Sequence, residues 1–123
     1  IANLLEEQSK ITNFKYQIED DDQIVWTDIP GHIKINIYRI IQESIQNINK
    51  YAQAENVILD FKKNDNHIIL TIKDDGVGFD QEKRSSGIGL KNMKSRVTLL
   101  HGQFTINSIP GKGTSISVDV PMT

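Results

Sequence analysis

The sequence has no cysteine among its 123 residues. Disulfides, thiolate metal ligands and thiol nucleophiles are therefore excluded. No apolar run approaches the roughly 20 residues that a membrane-spanning helix needs, and no signal peptide is visible. The net charge is only −2, so no large basic or acidic surplus is available. We therefore expect no nucleic-acid partner and no binding to an anionic membrane surface.

The length and the amino-acid composition of the chain indicate one ordinary globular domain. The length suits a single core, and 37% hydrophobic with 24% charged residues is typical of globular proteins. The chain begins with Ile1 rather than Met, and residues 1–8 have the pattern of a helix end. We therefore expect residues 1–10 to be the end of a linker helix in a longer protein, and residues 11–123 to be one domain.

The hydrophobic pattern predicts alternating helices and strands. A long helix is predicted over residues 32–52, where isoleucines recur at helical spacing, and a second over residues 90–101, closed by Gly102. An acidic stretch at 19–22 is expected to be a solvated turn. Because two strand pairs form hairpins, we expect a two-layer α/β sandwich whose mixed sheet is mostly antiparallel and covered on one face by helices. The predicted strands are 13–18, 56–62, 67–73, 104–106 and 116–120.

The first segment with recognisable chemistry lies on the long helix. Glu43, Asn47, Lys50 and Tyr51 share one polar face, roughly opposite the isoleucine stripe. An amide oxygen can bind Mg²⁺, a carboxylate can polarise water or hold the metal's hydration shell, and an ammonium can neutralise phosphate. The alternative interpretation is an ordinary solvated helix face.

The second segment, Asp74 to Phe79, directly follows a strand rich in Ile and Leu. A buried carboxylate there could accept a hydrogen bond from the exocyclic amine of adenine, and the glycines would let the backbone approach a ligand. The alternation alone does not decide whether Asp74 or Asp75 faces inward. A strand that simply ends in an Asp-Gly turn is the alternative interpretation.

Two further glycine-rich segments follow. Residues 85–92 lead into the second helix, whose N–H groups could bind phosphate, and basic residues are frequent around them (Lys83, Arg84, Lys91, Lys94, Arg96). The alternative is a flexible connection beside a solvated basic face, and the whole stretch 76–89 is expected to be mobile. The turn at 111–114 is a hairpin turn whose Thr114 could also contact a ligand.

Taken in order, these segments resemble the N, G1, G2 and G3 boxes of the gyrase, chaperone, histidine-kinase and mismatch-repair ATPase superfamily. The resemblance spans about residues 30–121. The phrases at 38–44, 74–79 and 87–93, with a short interval between the two glycine boxes, are similar to sensor histidine kinases that partner LuxR-type response regulators. The implied fold is the Bergerat-type ATP-binding sandwich.

The resemblance also implies a role for each matching residue. Asp74 would bind the adenine amine, and Asn47 would ligate Mg²⁺, with Glu43 supporting the metal or polarising water. Lys50 and Tyr51 would face the phosphates, although many relatives carry His in place of Tyr51. The remaining residues would shape or close the nucleotide pocket: Gly76, Gly78, Gly87, Gly89, Leu90 and Thr114.

The implied function is transfer of the γ-phosphoryl group of Mg-ATP to a histidine on an upstream dimerisation domain, in a two-component phosphorelay. His32, His67 and His101 are interpreted as surface or capping residues, so the chain alone is expected to bind ATP without phosphorylating itself. It is expected to be a cytoplasmic, monomeric domain of a homodimeric kinase, with or without an anchor in the inner membrane. The alternatives are a serine kinase that regulates a sigma factor and a non-catalytic nucleotide-binding module.

Overall fold

The computed structural model describes residues 14–48, 53–78 and 90–122. Within these ranges five strands form one sheet in the order β1-β2-β3-β5-β4. The first pairing, β1 with β2, is parallel, and the other three pairings are antiparallel. The mixed, mostly antiparallel sheet is therefore confirmed. The strands are β1 (Lys15–Asp20), β2 (Asn56–Asn64), β3 (His67–Asp74), β4 (Gln103–Ser108) and β5 (Thr114–Pro121).

Two α-helices of the described chain, α1 (Gly31–Asn47) and α2 (Leu90–Leu99), form the second layer. A short 3-10 turn, Trp26–Asp28, precedes α1. The carbonyl of Pro30 accepts the first helical hydrogen bonds, which fits a residue that cannot donate one itself. Neither helix, nor any other helical stretch within the described ranges, is long and apolar enough to cross a membrane.

The core lies between the helices and one face of the sheet. Alternate side chains of β2, β3 and β5 are buried there, because successive residues of a strand point to opposite faces. The isoleucine stripe predicted on the long helix is buried, and it is wider than predicted. Its members in the structure are Ile33, Ile37, Ile40, Ile41, Ile45 and Ile48, with Ser44 buried beside them.

The acidic stretch at residues 19–22 is more than the solvated turn that was predicted. Glu19 and Asp20 belong to β1. Asp21 accepts hydrogen bonds from the N–H groups of Gln23 (3.0 Å) and Lys63 (3.0 Å). These hydrogen bonds lower the pKa of Asp21 below its ordinary value. The prediction missed this role because Lys63 is 42 residues away in sequence.

The end of α2 also differs from the prediction in its detail. His101, not Gly102, occupies the left-handed region, with φ of 59°. The N–H groups of His101 and Gly102 close the helix by donating to the carbonyls of Thr98 (3.0 Å) and Val97 (2.9 Å). Gly102 has a different role: it lacks the Cβ that would overlap the carbonyl oxygen of Asp119.

The apolar side chains of β1 and of the residue before it are buried to different degrees. Phe14 precedes the strand and is buried, whereas Ile18 is half-buried and Tyr16 is 38% exposed. The reason is that β1 is the outermost strand and pairs with β2 alone. The predicted helix over residues 1–8 and the predicted end of the long helix at 49–52 lie outside the described residues.

Candidate functional site

The end of β3 places Asp74 toward the helical layer. Ile68, Leu70 and Ile72 point into the core, and Asp74 is the next residue on that face. Its side chain is half-buried, and its Oδ1 accepts a hydrogen bond from the N–H of Gly76 (2.9 Å). The alternation along the observed strand therefore decides between the two neighbouring aspartates in favour of Asp74.

Burial raises the pKa of Asp74 above its ordinary value, and the neighbouring negative charge of Asp75 raises it further. The main-chain N–H groups of Gly76 and Thr114 act in the opposite direction, since they stabilise the ionised form. The carboxylate is thus partly desolvated and held in place by main-chain donors. Such a group is suited to accept a hydrogen bond from a ligand amine.

Asp75 has different surroundings, on the opposite side of the strand. Its Oδ1 accepts hydrogen bonds from the N–H groups of Glu55 (2.9 Å) and Asn56 (2.8 Å). Its Oδ2 accepts one from the side-chain amide of Asn56 (2.8 Å). The side-chain hydrogen bond from Asn56 is the largest influence, and it lowers the pKa of Asp75 below the ordinary value. Asp75 therefore joins the end of β3 to the start of β2.

The segment after β3 packs against the turn between β4 and β5. Gly78 has a φ of 64°, and a Cβ there would overlap the carbonyl oxygen of Ile109. Gly113 has a φ of 83°, and a Cβ there would overlap the carbonyl oxygen of Asp74. The N–H of Gly111 donates to the carbonyl of Val77 (2.6 Å). Because the main chains approach so closely, only glycine fits at positions 78 and 113 without a shift of the backbone.

Thr114 pairs with Asp74 in the register of β5 and β3. Its Oγ1 lies 2.8 Å from the Oγ of Ser108, which is buried at the end of β4. Ser108 was not predicted as part of the site, because nothing in the local pattern around residue 108 indicates that it meets Thr114. Asp74, Gly76, Gly78 and Thr114 together form one wall, at the end of β3 and the start of β5.

The carboxyl end of α1 forms the second part of the candidate site. Arg96 Nη1 donates to Asn36 Oδ1 (3.3 Å), and Ser44 Oγ lies 3.2 Å from Met93 Sδ. The two helices therefore run in opposite directions, and the carboxyl end of α1 lies beside the amino end of α2. Glu43 and Asn47 follow Asn36 by seven and eleven residues and share its face of the helix.

Glu43 is half-buried, and its Oε2 is a buried oxygen with no hydrogen-bond partner within the described part of the chain. Burying a carboxylate oxygen is costly unless it accepts a hydrogen bond, so this oxygen has the capacity to accept one from a ligand or a hydrated ion. Asn47 is half-buried one helical turn further on. The polar face is thus at the margin of the core rather than fully solvated.

The residues near the start of α2 divide between three environments. Leu90 is buried in the core, so that only its main chain is available to a ligand. Lys91 and Lys94 are exposed, and Arg96 is turned toward α1. The predicted site residues Lys50, Tyr51, Gly87 and Gly89, with most of the glycine-rich stretch expected to be mobile, lie outside the described residues.

Of the other features within the described residues, a cavity beside Asp74 adjoins this site and the histidines lie outside it. No group of three or more His, Asp or Glu side chains in the described ranges could hold a metal ion. The three histidines are exposed, as predicted. A cavity of about 210 Å³ adjoins the site, because Asp74 and Thr114 line it together with residues of the open sheet face and the β4–β5 turn: Lys73, Asn107, Ile109, Lys112, Gly113 and Ser115.

The sequence is similar to a known protein family and to known histidine kinases. Residues 32–123 match the family model described as histidine kinase-, DNA gyrase B-, and HSP90-like ATPase. The chain is 40% identical over 95 residues to the signal transduction histidine-protein kinase/phosphatase DegS of Brevibacillus brevis, covering 76% of this chain and 25% of that protein. It is 34% identical over 114 residues to the oxygen sensor histidine kinase NreB of Staphylococcus carnosus, covering 91% of this chain and 30% of that protein.

The fold has close counterparts among solved structures. The blue-light activated histidine kinase of Erythrobacter litoralis EL346 superimposes with a TM-score of 0.81 at 19% identity, over 98% of this chain and 40% of that one. The histidine kinase AdeS of Acinetobacter baumannii superimposes with a TM-score of 0.76 at 16% identity, over 99% of this chain and 62% of that one. The chain spans only about a quarter to a third of the length of DegS and NreB.

Proposed function

Because the chain belongs to the family of histidine kinase-, DNA gyrase B- and HSP90-like ATPases, we propose that it binds Mg-ATP as the catalytic ATP-binding domain of a sensor histidine kinase. ATP binding follows from the family. The observation that carries the proposed site is the half-buried carboxylate of Asp74 at the end of β3, fixed by the N–H of Gly76.

Asp74 is proposed to select adenine. Adenine presents an exocyclic amine as a donor, and a desolvated carboxylate is a strong acceptor. Guanine presents a carbonyl oxygen at the corresponding position, which an ionised carboxylate would repel. Gly76 and Gly78 carry no side chain that could fill the space beside the base, and Thr114 lies on the neighbouring strand. Lys50, Tyr51, Gly87 and Gly89 are proposed to contact the phosphates or let the backbone approach them.

The residues at the end of α1 fit a magnesium ion carried by the nucleotide. Mg²⁺ prefers oxygen ligands and commonly binds one or two protein groups together with substrate phosphates and water. Asn47 would supply a neutral oxygen. Glu43, whose buried Oε2 has no hydrogen-bond partner within the described residues, would accept from the hydration shell. When bound, the ion would neutralise phosphate charge, and these two side chains would orient it.

The phosphoryl acceptor is proposed to be a histidine outside this chain, on an upstream dimerisation domain joined through residues 1–10. Phosphoryl transfer depends mainly on positioning and on charge neutralisation, so a domain that binds and presents the nucleotide is sufficient for its part. The resemblance to DegS and NreB supports a two-component system, with a response regulator as the downstream partner and a homodimer as the whole kinase. A cytoplasmic location and a membrane anchor for the whole kinase belong to the same proposal.

The test is the nucleotide selectivity of Asp74→Asn, measured by calorimetric titration with Mg-ATP and Mg-GTP. Loss of a charge-assisted hydrogen bond should weaken Mg-ATP binding about 10- to 100-fold. Binding of Mg-GTP should weaken less or improve, because an asparagine amide can donate to the guanine carbonyl. Asp22→Asn, at an exposed position in the turn after β1, is the matched control and should bind like the wild type. Unchanged Mg-ATP affinity in Asp74→Asn would refute the adenine assignment.

A further inference from the structure

The residue next to Asp74 carries the best-anchored carboxylate of the candidate region. Asp75 accepts three hydrogen bonds, from the main-chain N–H groups of Glu55 and Asn56 and from the side-chain amide of Asn56, all between 2.8 and 2.9 Å. Its own N–H donates to the carbonyl of Asn56 (3.2 Å). These four hydrogen bonds connect the same two places in the chain.

The position of these hydrogen bonds in the sheet gives them a further consequence. Val57 and Asp74 form the last register pair of β2 and β3, so the four bonds continue the pairing one residue beyond the ladder. Gln53 just before them adopts a left-handed conformation, with φ of 51°. The hydrogen bonds of Asp75 thus fix the point at which the chain returns from α1 and enters the sheet.

That point lies between the two parts of the candidate site. The end of α1 carries Glu43 and Asn47, and Asn56 follows Asn47 by nine residues. The end of β3 carries Asp74, which is adjacent to Asp75 in the chain. The hydrogen bonds between Asn56 and Asp75 therefore constrain two things. One is the position of Asp74, and the other is the start of β2, where the chain enters the sheet after α1.

We propose that Asp75 is a positioning residue of the nucleotide site, which acts through Asn56 to hold the start of β2 against the end of β3 and so fixes where Asp74 presents its carboxylate. Asp75 points away from the helical layer and does not contact the nucleotide. The proposal rests on the proposed function, because the geometry that Asp75 fixes matters only if ATP binds beside Asp74.

The pair offers a reciprocal exchange as a test. In Asp75→Asn the remaining oxygen accepts the main-chain hydrogen bonds, and the NH₂ group that replaces Oδ2 cannot accept from the Asn56 amide. In Asn56→Asp two carboxylates face each other. When both substitutions are combined, the amide oxygen at position 75 still accepts the main-chain hydrogen bonds, and the amide nitrogen donates to the carboxylate at position 56. Each single variant should bind Mg-ATP about tenfold more weakly, as for one lost charged hydrogen bond, and the double variant should return to within about twofold of the wild type.

The outcomes separate the two proposals. If the wild type does not bind Mg-ATP, the proposed function fails, and the positioning role fails with it. If the wild type binds and both single variants bind equally well, only the positioning role is overturned. The positioning role is also overturned if the double variant binds Mg-ATP no more tightly than the single variants. The loss of affinity would then not come from the hydrogen bond between residues 56 and 75. Circular dichroism checks folding, and Asn56→Ala, which deletes a single side-chain hydrogen bond, replaces any single variant that fails to fold, with the same loss expected.

Discussion

At the scale of single residues, two neighbouring aspartates have opposite electrostatic surroundings. Asp74 points toward the core side, where burial raises its pKa, and Asp75 points outward, where hydrogen bonds from Asn56 and Glu55 lower its pKa. The alternation of β3 continues one residue past its end, so that Asp74 and Asp75 point to opposite faces. One carboxylate is thus available to a ligand, while the other is committed to the fold.

The raised pKa of Asp74 means that the ionised carboxylate, which is proposed to bind adenine, destabilises the nucleotide-free fold. The folded chain holds the Asp74 proton to higher pH than the unfolded chain does, so ionisation costs stability as pH rises through the window above the ordinary value of 3.8. Asp74→Asn should therefore raise the melting temperature of the nucleotide-free protein at pH 7 by roughly 1–4 °C. The difference should shrink as pH falls below the ordinary value of 3.8, because the wild-type carboxyl is then increasingly protonated in both the folded and the unfolded chain.

The matched comparison for this prediction is Asp75→Asn. The pKa of Asp75 is lowered in the fold, so its ionised form stabilises the protein above the ordinary value, and this contribution is lost as pH falls below it. Asp75→Asn should thus lower the melting temperature at pH 7. Thermal unfolding followed by circular dichroism measures both variants, and a lower melting temperature for Asp74→Asn would contradict the proposed burial effect.

Residue-scale prediction from sequence succeeded where the local pattern was sufficient. The isoleucines of α1 were correctly assigned to the core, because helical spacing alone determines their common face. The choice between Asp74 and Asp75 stayed open on pattern alone and was made through the family resemblance. Hydrogen bonds between distant residues, such as Asn56 with Asp75 or Lys63 with Asp21, could not be predicted, since they depend on strand register.

At the scale of elements, the turn between β4 and β5 supports the end of β3. Gly111 and Gly113 both lie in this turn with positive φ, at 81° and 83°. They differ in their surroundings, because a Cβ at Gly111 would meet nothing within 4 Å, whereas a Cβ at Gly113 would overlap the carbonyl oxygen of Asp74. The sequence predicted the turn but not this contact, which requires β5 to pair with β3.

The two glycines make a matched pair of variants. Gly111→Ala should lower the free energy of unfolding by about 1–2 kcal/mol, the cost of a left-handed alanine. Gly113→Ala should lower it by at least about 2 kcal/mol more, because the backbone at Asp74 must also move. Urea denaturation at pH 7 measures both. Equal losses in the two variants would show that the close approach to Asp74 has no energetic consequence.

At the scale of the whole molecule, the sequence predicted the fold class, the family and the two-layer arrangement, and all three are confirmed. The two hairpins were predictable because their strands are joined by short turns. The position of β5 between β3 and β4, and the parallel pairing of β1 with β2, were not predictable. Both depend on contacts between strands that lie far apart in sequence, which the local pattern of hydrophobic residues does not encode.

The arrangement of the whole molecule also determines where a ligand should bind. The end of β3, the start of β5 and the carboxyl end of α1 carry predicted nucleotide residues, while the outer side of the cavity beside Asp74 and the exposed face of α2 carry lysines. A surface site on those lysines would attract any polyphosphate. A site at Asp74 would require adenine, so the location of binding distinguishes the two.

The most direct test of this account is a titration of the ¹⁵N-labelled chain with Mg-ATP, followed by amide chemical shifts. If ATP binds beside Asp74, the largest changes should occur at Gly76, Gly78 and Thr114 and at the end of α1 near Asn47. Changes should be small at Lys94 and Thr98 on the exposed face of α2 and at Lys73 and Asn107 on the outer side of the cavity. Shifts confined to those lysine-bearing surfaces, or no shifts at all, would contradict the central claim that the chain binds ATP beside Asp74.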